Sequence, residues 1–132
     1  MSFEDMNPVE LWRLSVAATS LMREPSFQTL PKRECVISFS VEGPEGFPEE
    51  QSLRFDGVEA YRCTFLTSCN AGMFKIAYGK LVSLTRSPWL TEILETYQKN
   101  ARAPRRLHHL MICFDDGPCY EFICNSFKHV RQ

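Results

Sequence analysis

LHHLMICFDDGPCYEFIC, residues 107–124, is the stretch on which the fold turns. Two apolar runs, Leu107 to Phe114 and Cys119 to Phe127, flank Asp115-Asp116-Gly117-Pro118. Asp-Gly between alternating apolar segments is a hairpin signal, because glycine accepts the positive φ that a tight turn demands. Pro118 widens the loop beyond two residues. Alternation sets His109, Met111 and Cys113 on one face of the first strand and His108, Leu110, Ile112 and Phe114 on the other. In the second strand Cys119, Glu121 and Ile123 share a face.

Working back towards the N-terminus, Ser87-Pro88 is a helix start, with a capping side chain followed by proline in the first turn. Trp89, Leu90, Ile93, Leu94 and Tyr97 then form one apolar side up to Asn100. Ala101 to Arg106, broken by Pro104, reads as a basic connector. A preceding helix is capped by Asn70 and carries Met73, Phe74, Ala77, Tyr78 and Leu81 at three- and four-residue intervals. Earlier still, Cys35, Ile37, Phe39 and Val41 alternate with Val36, Ser38 and Ser40 as a strand. It leads through the acidic loop Gly43–Pro48 into strands over Gln51 to Phe55 and Val58 to Leu66, with a bulge or tight turn at Asp56-Gly57. Residues 11–22 fit either period, and the Ser, Val and Thr content favours a strand. The order of strands, two helices and a closing hairpin predicts an α+β domain: an antiparallel β-sheet with two helices packed on one face and a C-terminal β-hairpin. A single domain over 1–132 is expected, with residues 1–8 and 128–132 as mobile ends.

The chain has 132 residues, of which 44% are hydrophobic and 23% charged, enough apolar content to bury one core. Its formal net charge of −1 provides no field for a polyanion, which argues against nucleic acid as the main ligand. The acidic start MSFEDMNPVE lacks the basic and apolar regions of a secretory signal, and no segment reaches membrane-spanning length, so a cytoplasmic location is expected without membrane association. The six cysteines include no C-x-x-C pair and in that compartment read as free, mostly buried thiols.

The candidate site residues fall into two groups. Glu45, Glu49, Glu50, Asp56 and Glu59, with Asp115 and Asp116 at the hairpin turn, are candidates for contact with a basic protein partner. Turn chemistry alone also accounts for the two aspartates. Glu121, His109 and Tyr78, with Cys113, are candidates for a pocket between sheet and helices. Glu121 carries the most weight, since a carboxylate on a partly apolar strand face needs a partner or a function. His108 and His109 point to opposite faces and cannot share a metal, and no spacing rule selects any metal site, so no metal or cofactor is expected. No nucleophile elbow, phosphate loop or dinucleotide fingerprint occurs.

WRLSVAATSL (12–21), ECVISFSVEG (34–43), SLRFDGVEAYRC (52–63), a helix opening on an Asn-containing turn and the closing HHLMICFDDGPCYEFIC (108–124) succeed one another in an order that resembles the small bacterial immunity proteins of polymorphic toxin systems. In that family an L-x-F-x-G-V strand, here Leu53 to Val58, precedes a helix, and a final hairpin carries an acidic turn. The helix SPWLTEILETYQ (87–98) lies outside the resemblance. The resemblance implies a non-enzymatic module that binds and neutralises a toxin encoded nearby, and it supplies no catalytic residues. Two other classes fit the same residues: a small enzyme or ligand-binding domain with a pocket between sheet and helices, and a homo-oligomeric structural module.

Overall fold

A computed structural model describes residues 2–65, 68–99, 106–115 and 118–131, with the side chains of 98 and 99 left out. The described residues contain nine strands: β1 (Pro8–Arg13), β2 (Arg23–Leu30), β3 (Glu34–Glu42), β4 (Pro48–Asp56), β5 (Ala60–Thr64), β6 (Lys80–Leu84), β7 (His108–Cys113), β8 (Cys119–Cys124) and β9 (Ser126–Arg131). Two α-helices, α1 (Ala71–Ala77) and α2 (Pro88–Lys99), complete the α+β arrangement. The strands form two antiparallel sheets where the sequence pattern predicts one. The first has the order β1-β6-β7-β8-β5 and the second β2-β3-β4-β9.

The second sheet is a consequence of how apolar β7 and β8 are. Every residue of β8 is buried, as is every residue of β7 after His108, so both faces need covering. Leu110, Ile112, Phe114, Tyr120 and Phe122 share one cluster with Ile37, Phe39, Leu53 and Phe55 of β3 and β4. Phe55 and Phe122 stack across it with ring centroids 3.9 Å apart. Met111, Cys113 and Cys119, of opposite parity, join Met73, Ile76 and Ala77 of α1 in a second cluster. Ile123 joins Trp89, Leu90, Ile93, Leu94 and Tyr97 of α2 in a third. One strand pair therefore divides its side chains between the inter-sheet core and the helix contacts.

Several boundaries differ from those the sequence predicts. β1 ends at Arg13, and Ala18–Ser20 is a turn of 3-10 helix, so neither a strand nor a helix runs through 11–22. α1 stops at Ala77 because Gly79 takes φ +68°, and Leu81, which continued the helical stripe, belongs instead to β6. β8 ends at Cys124. The Asn125 N–H donates to the Asp56 carbonyl as the chain crosses to the other sheet, so the β7–β8 pair is not the last element. Residues 128–131, expected from the sequence to be a mobile end, pair with β4 through β9. The basic connector over 101–105 lies outside the described residues.

Candidate functional site

Glu121 has its partner. Its register position in β8 is opposite Met111 of β7, and His109 lies two residues back along that strand on the same face. His109 Nε2 is 2.9 Å from Glu121 Oε1, and both side chains are 2% exposed. The third member comes from the start of α2. Ser87 accepts the Leu90 N–H on Oγ at 3.0 Å, which is the ordinary work of a helix cap. The same Oγ is 2.6 Å from His109 Nδ1. With one lone pair taken by Leu90, the hydroxyl proton is available to donate to Nδ1, and Nε2–H donates to the carboxylate. The result is a continuous line from the α2 N-terminus through β7 to β8.

A serine, a histidine and a glutamate in line invite comparison with a hydrolytic triad, and two observations decide against that role. Ser87 bonds Nδ1 and Glu121 bonds Nε2, while the hydroxyl already serves as a helix cap. All three residues are also shielded, Ser87 being 5% exposed and the other two 2%. The indole of Trp89 stands edge-on to the His109 ring at 5.2 Å, and the Arg62 guanidinium lies over that indole, 3.8 Å from its centroid. Arg62 is also the register partner of Glu121 across β5 and β8. In this arrangement the three side chains tie the start of α2 to β7 and β8.

No family model matches the chain, and no curated protein or solved structure is significantly similar to it.

The other sequence-selected positions are dispersed. Tyr78 is remote from this line in its bonding: it is 39% exposed, and its hydroxyl donates to Asp115 Oδ1 at 2.9 Å. Asp115 is thereby anchored, while Asp116 lies outside the described residues. Asp56 ends β4, and Glu59 is ion-paired with Arg33. Glu45, Glu49 and Glu50 do converge, lining a cleft of about 480 Å³ at the β3–β4 turn with Gly43, Pro44, Phe47 and Pro48. Two of these carboxylates are engaged internally. Glu49 binds Arg131 through a 2.8 Å contact and Glu50 pairs with Arg23. Those hydrogen bonds, before any longer-range charge effect, hold both carboxyls below their ordinary range. The same turn exposes Phe47 at 72% of its surface, which sequence reasoning passed over because the residue sits among loop formers.

Cysteine chemistry also departs from expectation. Cys113 and Cys119 are joined in a disulfide, with Cα atoms 4.1 Å apart as directly opposed residues of the β7–β8 ladder. Cys35, Cys63, Cys69 and Cys124 are free. The four-residue loop expected over 115–118 would set 114 opposite 119, whereas the ladder is offset by one residue and sets Cys113 opposite Cys119. His109 is engaged by Ser87 and Glu121, and Cys113 by Cys119. Among the described residues no group of three or more His, Cys, Asp or Glu side chains could hold a metal ion.

Proposed function

We propose that this chain is a protein-binding module whose contact surface is the tip of the β3–β4 hairpin, acting as an immunity protein that neutralises a toxin encoded nearby. The observation that carries the binding reading is Phe47, an aromatic ring left 72% exposed between Pro44 and Pro48 at the mouth of a cleft bearing three glutamates. Aromatic anchors surrounded by polar groups are the usual energetic centres of interfaces, and two flanking prolines lower the entropy lost when such a loop is fixed. Glu45 at the cleft rim favours a basic partner, whereas Glu49 and Glu50, already held by arginines, chiefly stiffen the base. The immunity role itself rests on the sequence resemblance.

The test is a titration of the purified chain against the protein encoded by the adjacent reading frame, with the toxic activity of that protein as a parallel readout. A stoichiometric inhibitory complex is expected. Phe47→Ala should weaken it by about 30-fold or more, the loss of an interface hot spot of about 2 kcal/mol. An unchanged affinity in Phe47→Ala would rule out the hairpin tip. Failure to bind or inhibit would rule out the immunity role.

A further inference from the structure

Beside the buried disulfide stands a third sulfur. Cys69, the residue before the Asn70 cap of α1, has its Sγ 3.4 Å from Cys119 Sγ, while Cys119 is bonded to Cys113. A thiol at van der Waals distance from one sulfur of a disulfide is within reach for exchange, since reacting atoms at about 3–3.5 Å need little further approach once aligned with the bond that breaks. Cys113 and Cys119 are completely buried, whereas Cys69 is partly exposed and sits on a loop.

We propose that these three cysteines form an internal exchange site in which the disulfide shifts between Cys113–Cys119 and Cys69–Cys119. Cys69, as its thiolate, attacks Cys119 Sγ. A Cys69–Cys119 bond forms as the Cys113–Cys119 bond breaks, and the electron pair leaves on Cys113, which takes up a proton in place of the one lost by Cys69. No oxidant or reductant is consumed, because one disulfide and one thiol are present before and after.

Each arrangement provides for the thiol it leaves over. In the first, the Cys69 thiol donates a hydrogen bond to the Thr64 carbonyl oxygen at 3.4 Å. In the second, Cys113 Sγ has the Met73 carbonyl at 3.6 Å. A backbone acceptor therefore waits at both ends, and neither thiol is stranded in an apolar site. The shift exchanges a cross-link inside one hairpin, with a sequence separation of six, for one that ties the segment ahead of α1 to β8 across fifty residues. Burial raises the Cys69 thiol above its ordinary value, which keeps the thiolate scarce at neutral pH and the exchange slow.

The full-length protein, incubated folded without reductant, is quenched in acid, digested with pepsin and mapped for disulfide-linked peptides. Wild type should yield both linkages, Cys69→Ser only Cys113–Cys119, and Cys113→Ala, whose two remaining thiols are coupled by dissolved oxygen, only Cys69–Cys119, with circular dichroism confirming that each variant is folded. The wild-type map decides by itself if a variant fails to fold. Recovery of Cys113–Cys119 alone, of no linkage among the three, or of Cys69–Cys119 only after prior unfolding in guanidinium would overturn the proposal.

Discussion

At the scale of single residues the line Ser87, His109 and Glu121 shows how a helix cap becomes part of a core. Ser87→Ala removes two things together: the cap, worth about 1 kcal/mol, and the partner of a buried ring nitrogen, whose desolvation goes uncompensated at about 1–3 kcal/mol. Urea denaturation should therefore find it about 2–4 kcal/mol less stable. Glu121→Gln keeps a carbonyl that can accept the Nε2–H, so it should cost less than Glu121→Ala, which also opens a cavity. Equal losses in those two variants would show that the hydrogen bond to His109 is not what holds Glu121. The sequence pointed to Glu121 and His109, because a carboxylate and an imidazole on one apolar strand face stand out by burial cost alone. Ser87 was legible only as a cap. Its second bond depends on α2 meeting β7, a contact between residues 22 positions apart that no local pattern encodes.

At the scale of elements, legibility tracked local period. β3 shows its period, β7 and β8 stand out as apolar runs on either side of a turn signal, and α2 announces itself through Ser87-Pro88. β6 was hidden because Leu81 extends the spacing of α1, and only the positive φ of Gly79 ends the helix before it. β2 was hidden by Pro25 and its polar residues, which an edge strand tolerates and a central one does not. β9 is the other edge of that sheet, and a titratable residue holds it. His129 Nε2 lies 2.7 Å from Gln51 Oε1 and its ring packs 4.9 Å from Trp12. Burial first, and Arg131 second, hold its pKa below the ordinary 6.5, with Glu49 opposing them. The unfolded chain then binds the proton more readily, so the stability tied to β9 is complete above about pH 6.5 and falls as pH drops through the lower folded value. Denaturation midpoints measured down to pH 5 should decline more steeply in wild type than in His129→Gln, and parallel declines would assign the acid sensitivity to other groups.

At the scale of the molecule, the inter-sheet core carries two groups whose ionisation folding opposes. Tyr120 and Cys124 lie in the cluster shared by both sheets. Burial, reinforced by Cys63, pushes the Tyr120 hydroxyl from 10.0 up to about 12. Burial, reinforced by Cys35 and Asp56, pushes the Cys124 thiol from 9.0 up to about 12. Both groups keep their protons in the folded state over a range in which the unfolded chain has lost them. Their contribution to stability is therefore intact below about pH 9 and is lost as pH rises towards 12. Cys124 is the free buried thiol that the sequence reading expected, whereas the burial of Tyr120 was not foreseen, because it becomes a core residue only when the second sheet closes over β8. Guanidinium denaturation from pH 8 to 11 should show a falling midpoint in wild type. Tyr120→Phe, which keeps the ring contacts with Phe27 and Phe114 and removes the ionisable hydroxyl, should flatten the part of that fall above pH 10. A slope unaltered in Tyr120→Phe and in Cys124→Ala alike would place the alkaline sensitivity outside the inter-sheet core.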